Sequence, residues 1–214
     1  RTKRNHQRSQ QRGIRLMPTG SINYETRVPW LQGRALNVYT QFGEDGLIAT
    51  CLQQIGETNR HCFEIGAADG RFFSNTLRLR DDGWKAVLIE SDDRLFAQLD
   101  AEFGTRSTCI HATCNHLDST LRGTFLDRTP DVGIIDIDGQ DYWLWHDMHL
   151  FRPRIMLVEI STQGPSMPIP KRGEAYPAQA GLMQIETLGK NKGYQLVATT
   201  FCNALFVDEA CLSS

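Results

Sequence analysis

Residues 63–70 read FEIGAADG, a pattern that predicts a short buried strand running into a turn that contains Gly66 and Gly70. Glycine has no Cβ atom, so both positions allow the backbone to pass close to a ligand. Residues 74–80 predict the next helix, and the free amides at a helix start favour negative charge. The stretch therefore predicts a ligand-binding corner of an α/β fold, with an ordinary tight turn as the alternative.

The spacing of the glycines favours one class of cofactor over another. A dinucleotide site needs G-x-G-x-x-G to hold a pyrophosphate, whereas this turn is G-x-x-x-G with Asp69 inside it. Glu90 ends the next predicted strand, 24 residues after Gly66. A carboxylate at about this distance accepts both hydroxyls of a ribose, although a solvated charge at a strand end is the alternative. The pattern predicts a nucleoside cofactor without phosphates.

Short apolar strands alternate with helices from residue 39 onward, which predicts β-α-β units and a mainly parallel sheet. The last two predicted strands are joined by residues 199–204 only, and a link this short requires an antiparallel hairpin. The expected fold is a Rossmann-like α/β fold of the class I methyltransferase type. It has a mostly parallel seven-stranded sheet, an antiparallel last strand and helices on both faces. The predicted strands cover 62–65, 86–89, 108–110, 132–135, 155–158, 196–198 and 205–207.

The 214 residues suit one domain, which we place at 39–214 after a basic extension at 1–38 of uncertain role. Residues 1–15 carry six Lys or Arg and no acid, a pattern more typical of a solvated tail than of a substrate-binding arm. A net charge of -2 argues against a general nucleic-acid or membrane-surface binder, and no apolar run approaches a membrane span. Six scattered cysteines and no evident signal peptide indicate a reducing, cytoplasmic compartment. A homo-oligomer is compatible with this sequence.

Three acidic residues follow two of the predicted strands and should meet at one edge of the sheet. Asp136 and Asp138 come after strand 132–135, and Glu159 comes after strand 155–158. Carboxylates this close repel one another, so a cation or a shared proton is expected. Oxygen ligands suit Mg²⁺, and the site residues for such a metal would be these three. Helix capping by Asp138 and backbone bonding by Asp136 are an equally weighted alternative.

Five ordered segments together resemble the FkbM-type methyltransferases, and the resemblance covers residues 39–207. The segments are YTQFGEDG (39–46), FEIGAADGRFFSNT (63–76), GWKAVLIE (83–90), IDIDGQDY (135–142) and KGYQLVATTFCNA (192–204). The resemblance implies S-adenosylmethionine (SAM) as methyl donor. It also implies a hydroxyl acceptor on a sugar, polyketide or other natural product, which makes the partner a small or glycosylated molecule.

The resemblance also implies which residues contact the cofactor. The methionine end should lie against Glu64, Gly66, Ala67, Asp69 and Gly70, with Glu90 and Ser91 at the ribose. Gln41, Phe42, Ser74, Asn75 and Asp136 should border the pocket, and Cys114 and Asn115 should lie near the adenine. One departure concerns the metal: many relatives have Glu-x-Asn where this chain has Glu159-Ile160-Ser161, so a carbonyl ligand is missing.

Catalysis needs a group that removes the hydroxyl proton, and the candidates are Asp136 and Asp138 through a metal, or a histidine. His146 and His116 are the histidine candidates, because an imidazole can take a proton at neutral pH. Cys109, His111, Cys114 and His116 are too closely spaced to surround one zinc ion. Residues 161–179 contain four prolines and are long enough to predict a lid or acceptor-binding loop.

Two other functions compete with methyl transfer. A nicotinamide-dependent oxidoreductase would need the G-x-G-x-x-G turn that this chain lacks. A non-catalytic subunit with the methyltransferase fold could bind a partner through residues 161–179, although the complete acidic edge argues against it.

Overall fold

The structure is a computed structural model that describes residues 24–113, 116–174 and 178–212. Its strands are β1 (Glu25–Thr26), β2 (His61–Ile65), β3 (Lys85–Glu90), β4 (Thr108–His111), β5 (Val132–Ile135), β6 (Ile155–Glu159), β7 (Tyr194–Thr199) and β8 (Asn203–Asp208). Its α-helices are α1 (Glu44–Ile55), α2 (Leu77–Asp81), α3 (Asp93–Phe103), α4 (Leu117–Arg122), α5 (Asp141–Asp147), α6 (Leu182–Asn191) and α7 (Glu209–Leu212), and a 3-10 helix spans Pro29–Leu31.

The strands form one sheet in the order β1-β7-β8-β6-β5-β2-β3-β4. The pairs formed among β2 to β6 are parallel, while β8 lies antiparallel between β6 and β7. The predicted fold, with a mostly parallel sheet and an antiparallel final strand, is confirmed. The chain winds to opposite sides of β2, through β3 and through β5, and this reversal opens a crevice at the carboxyl ends of the strands.

Alternating side chains of the central strands divide the core into two apolar layers. On β2, Cys62 packs with α1, α2 and α3, whereas Phe63 and Ile65 pack with α4, α5 and α6. The helices therefore cover both faces of the sheet, as the pattern of short fully apolar strands indicates. None of the helices in the described ranges combines the length and the apolar character that crossing a membrane requires.

The sheet has eight strands rather than the predicted seven, because part of the expected N-terminal extension joins it. Glu25 and Thr26 pair antiparallel with Thr199 and Ala198 at the edge of the sheet. Leu31 is fully buried in the layer that also holds α1. Two residues give too little periodicity to reveal a strand, so the sequence did not predict β1. The basic segment 1–15 lies outside the described residues.

Two helices differ from the prediction for local reasons. The helix expected at 74–80 begins at Leu77, because residues 74–76 bond to a buried carboxylate instead. Helix α4 was not predicted, since only Leu117 and Leu121 of its six residues are buried.

We expect Leu31→Ala to lower the free energy of unfolding by about 2–5 kcal/mol, since it removes a fully buried side chain from the main core. Leu36→Ala is the matched control, because Leu36 is 40% exposed and should lose far less stability. Chemical denaturation of both variants measures the difference. Equal small losses would show that residues 24–38 are not integral to the domain.

Candidate active site

The turn after β2 is built on a backbone contact that only glycine permits. Gly66 has φ +81°, and a Cβ atom there would lie 1.8 Å from the carbonyl oxygen of Asp136. The N–H groups of Gly66 and Ala67 both donate to the carbonyl of Ile89, at 2.9 and 3.0 Å. The end of β2 is therefore fixed against β3 on one side and β5 on the other.

The buried Glu64 carboxylate organises the segment that follows the turn. It accepts hydrogen bonds from the Ser74 hydroxyl at 2.8 Å, the Asn75 N–H at 2.7 Å and the Thr76 hydroxyl. The partly buried Arg80 guanidinium donates to the Ser74 hydroxyl at 3.0 Å, so a cation lies behind this network. These bonds hold Ser74 and Asn75 at the sheet edge instead of in a helix.

Glu90 holds the same turn from the side of β3. One of its carboxylate oxygens accepts the N–H of Ala68 at 2.8 Å, and the other accepts the N–H groups of Ser91 and Asp92 at 2.7 and 2.8 Å. The residue is only 8% exposed, so it is not a freely solvated charge at a strand end. A carboxylate has about four acceptor positions, which leaves capacity for a ligand hydroxyl.

Two cavities of about 390 Å³ each lie on either side of this turn. We name them the Glu90 cavity and the Glu64 cavity after the carboxylate that lines each one. Gly66, Ala68, Asp136 and Asp138 line both, so the cavities meet at the carboxyl ends of β2 and β5.

Most of the residues predicted to contact a cofactor line one of these cavities. The Glu64 cavity contains Gln41, Phe42, Glu64, Gly66, Ala67, Ser74, Asn75 and Asp136. The Glu90 cavity contains Glu90, Ser91 and, again, Gly66 and Asp136. Cys114 and Asn115 lie outside the described residues.

Asp69 and Gly70 have structural partners and do not line either cavity. An Asp69 carboxylate oxygen accepts the N–H groups of Arg71 and Phe72 at 2.8 and 2.7 Å, which closes the turn. Gly70 packs against α3, where a Cβ would lie 2.6 Å from Leu99. The predicted contact of these two residues with the methionine end stays a prediction.

The acidic residues predicted at the sheet edge do come together. Asp136, Asp138 and Glu159 all line the Glu64 cavity. Burial, followed by repulsion from Asp141, Glu64 and other acids, raises the pKa of Asp136 to about 8. Burial and Asp136 likewise raise the pKa of Glu159. A shared proton is thus one way in which this edge reduces its negative charge.

The Mg²⁺ site predicted at these residues stays a prediction. Glu159 accepts the N–H of Asp138 at 2.8 Å, and the Asp138 side chain is exposed. Asp141 likewise accepts the N–H groups of Ile137 and Gly139 at 2.8 and 2.9 Å. Within the described ranges, no group of three or more His, Cys, Asp or Glu side chains is arranged to hold a metal ion.

The histidine candidates lie elsewhere. His146 is on the second turn of α5 and lines a separate cavity with Lys192 and Tyr194. Its Nδ1 atom lies 2.6 Å from a carboxylate oxygen of Asp147. His116 precedes α4 and does not line either the Glu64 or the Glu90 cavity. Asp136 is therefore the better candidate for a proton acceptor, because it faces both cavities.

Sequence reasoning missed two buried polar residues of the Glu64 cavity, Glu44 and Asn203. Glu44 is 1% exposed and accepts hydrogen bonds from the Phe42 N–H at 2.8 Å, the Thr200 hydroxyl at 2.7 Å and the Asn203 amide at 3.1 Å. Glu44 lies in segment 39–46 and Asn203 in segment 192–204. The fold brings these two residues into hydrogen-bond contact, although 159 positions separate them in the sequence. A single sequence does not show that these two residues are paired, so it gave no reason to place them in the site.

The loop predicted as a lid is tied to α5. The Gln140 amide donates to the carbonyls of Lys171 and Glu174 at 3.2 and 3.0 Å, and the Trp143 indole donates to that of Pro170 at 2.8 Å. Arg172 lies over the Trp143 ring at 4.0 Å. Thr162 alone among the described loop residues lines the Glu64 cavity. The loop thus stands beside the cavity, with residues 175–177 outside the described ranges.

Comparisons with known proteins support the fold. No protein-family model and no curated protein matches the chain. Solved structures do match: a proposed O-methyltransferase from Klebsiella pneumoniae has a TM-score of 0.52 at 14% identity, covering 75% of this chain and 77% of that chain. The N-terminal domain of EvdMO1 with SAH bound has a TM-score of 0.52 at 12% identity, with coverage of 79% and 82%.

The fibrillarin pre-rRNA processing protein of Methanococcus jannaschii also matches, with a TM-score of 0.52, 14% identity and coverage of 73% and 69%. The chain has the Rossmann-like fold of methyltransferases. At identities this low the likeness concerns the fold alone.

We expect Gly66→Ala to be much more damaging than Gly83→Ala. Both glycines have φ above +80°, but a Cβ at Gly83 meets nothing within 4 Å, whereas one at Gly66 meets the Asp136 carbonyl. Gly83→Ala should cost about 1–2 kcal/mol of unfolding free energy from backbone strain. Gly66→Ala should cost at least about 2 kcal/mol more. Urea denaturation gives both values, and equal losses would contradict the close contact between β2 and β5.

Proposed function

We propose that the chain is a SAM-dependent methyltransferase that acts on a hydroxyl group of a small or glycosylated molecule. One observation carries this proposal: two cavities meet at the Gly66 turn, one lined by the buried Glu90 carboxylate and the other by several carboxylates. A cofactor with a neutral nucleoside at one end, an amino acid at the other and a net positive charge from a sulfonium between them complements both cavities.

The residues present fit that cofactor. Glu90 is buried at the end of β3 and has acceptor capacity for a ribose hydroxyl, while Ser91, Leu95 and Ala112 line the same cavity. On the other side, Glu64 and Asp136 supply negative charge beside Asn75. When bound, SAM supplies a methyl group already activated on a sulfonium. The chain must then position the acceptor oxygen and remove its proton.

Asp136 is the group that we assign to proton removal. It lines both cavities, so it lies beside the Gly66 turn, where the sulfonium between the two ends of the cofactor would face the acceptor. Burial and neighbouring acids give it a pKa of about 8, which makes its ionised form a stronger base than an ordinary carboxylate. Asp138 lines the same junction but is exposed, so we assign it to acceptor binding rather than to proton transfer.

The choice of oxygen as the methylated atom rests on the resemblance to FkbM-type enzymes in residues 39–207. The turn lacks the G-x-G-x-x-G spacing of nicotinamide enzymes, which disfavours an oxidoreductase. A non-catalytic subunit is the remaining alternative. Screening candidate acceptors with isotopically labelled SAM distinguishes it from an enzyme, because only an enzyme transfers the label.

Calorimetry should detect binding of SAM and of S-adenosylhomocysteine (SAH), and no binding of NADH. Glu90→Ala should weaken SAH binding by about 2 kcal/mol, or roughly 30-fold, since it removes charged acceptors from the ribose. Asp93→Ala is the matched control, because Asp93 is three residues away and its side chain is 95% exposed. Thermal unfolding of each variant checks that the fold is intact. Unchanged affinity in folded Glu90→Ala would contradict the ribose assignment.

Asp136→Asn should reduce turnover at least about 100-fold, because general-base catalysis contributes about that much or more. SAH affinity should change far less. For the native enzyme, the rate should rise with pH, reach half of its maximum near pH 8 and level off about one pH unit higher, since only the ionised carboxylate accepts a proton. Asp138→Asn is the comparison variant and should retain this pH profile. A native profile that is flat from pH 6 to 9 would exclude Asp136 as the base.

A further inference from the structure

The Glu64 cavity is strongly acidic and lacks a basic side chain in its described lining. Glu44, Glu64, Asp136, Asp138 and Glu159 line it, and none of the described lining residues is Lys, Arg or His. Arg80, behind Ser74, compensates only the Glu64 end. An anionic ligand would meet net repulsion here, whereas a cation would relieve the repulsion among the acids.

Asn203 provides a second, independent sign of a ligand. It lines the cavity and is only 3% exposed. Its amide nitrogen donates to Glu44 at 3.1 Å, while its Oδ1 atom has no hydrogen-bond partner among the residues that the structure describes. A buried acceptor without a donor costs about 1–3 kcal/mol, so this atom calls for a donor from a bound molecule.

Aromatic side chains at the mouth of the cavity add a third feature. Phe72 is 66% exposed and Phe201 is 55% exposed, although both are large and apolar. Phe201 packs against Phe42 with ring centroids 5.2 Å apart, and both line the cavity. Aromatic faces attract cations and also cover the apolar face of a ring-shaped molecule.

We propose that the acceptor carries a positively charged amino group, which binds in the Glu64 cavity between Asn203 and the aromatic rings of Phe42 and Phe201. The ammonium donates to the unpaired Oδ1 of Asn203 and neutralises the adjoining acids. Anionic acceptors, such as phosphorylated or carboxylated molecules, are excluded by the same charges. This inference rests on the proposed function and deepens it by naming the chemical class of the acceptor.

The test uses three probes that have the same ring and hydroxyl and differ in charge. They are trans-4-aminocyclohexanol, trans-4-methylcyclohexanol and trans-4-hydroxycyclohexanecarboxylate, which at pH 7 are cationic, neutral and anionic. Dissociation constants are measured by NMR titration of protein saturated with SAH. The amine should bind at least about tenfold more tightly than its methyl analogue, and the carboxylate should not bind measurably.

Two variants locate the binding. Phe201 is exposed, so Phe201→Leu should leave the buried core intact. This variant should weaken binding of the amine about two- to fivefold and leave binding of the methyl analogue nearly unchanged. Asn203→Leu should weaken binding of the amine further. The thermal unfolding of this variant is recorded as well, because the substitution also removes a hydrogen bond to Glu44. Phe125→Leu is the matched control, since Phe125 is 39% exposed but packs on His61, away from the cavity.

Equal binding of the amine and its methyl analogue would overturn the proposal, and so would failure of all three probes or preference for the carboxylate. Loss of amine binding in Phe125→Leu to the same extent as in Phe201→Leu would also overturn it. SAH binding is measured separately by calorimetry. Absence of SAH binding contradicts the proposed function, whereas SAH binding without amine preference contradicts only the acceptor class.

Discussion

The contact between the Gly66 backbone and the carbonyl oxygen of Asp136 is the constraint on which the site depends. It draws the ends of β2 and β5 together at the point where the sheet winds in opposite directions. The Gly66 and Ala67 amides bond to β3 at the same point. The ends of β2, β3 and β5 are thereby fixed relative to one another. Their positions determine where the two cavities on either side of the turn lie.

Charge is the second determinant of the site. Carboxylates at the ends of β2, β3 and β6 accept hydrogen bonds from neighbouring N–H and hydroxyl groups, which orient them. Glu64 has the partly buried Arg80 guanidinium nearby, and none of the described residues that line its cavity is Lys, Arg or His. Burial, and then repulsion between neighbouring acids, raises the pKa values of Asp136 and Glu159. A bound cation would relieve this repulsion, which connects the electrostatics to a sulfonium cofactor and to a cationic acceptor.

The positions of the main strands along the chain, the final hairpin and the position of the glycine turn followed from local patterns that a single sequence carries. Apolar periodicity and loop length suffice for those features. The residues missed were those whose role depends on distant parts of the chain. Asn203 becomes significant only because it meets Glu44, and β1 is a strand only because β7 offers it an edge.

Some residues that were predicted to contact a ligand have partners within the protein itself. Asp69 and Gly70 both lie within the glycine turn. The Asp69 carboxylate accepts a backbone N–H group, and Gly70 packs against α3. Spacing in sequence could not distinguish a carboxylate that faces a cavity from one that closes a turn. The same holds for Glu159, one of the predicted Mg²⁺ ligands, which accepts a backbone N–H group.

A crystal structure of the chain with SAH bound would test the central claim most directly. The account predicts adenosine in the Glu90 cavity, with a ribose hydroxyl on Glu90. The amino-acid end should cross the Gly66 turn to the side of the Glu64 cavity that Glu64 and Asn75 line, and the sulfur should lie near Asp136. The side lined by Phe42, Phe201 and Asn203 should remain free for the acceptor. SAH bound at another cavity, or with its ribose away from Glu90, would contradict the account.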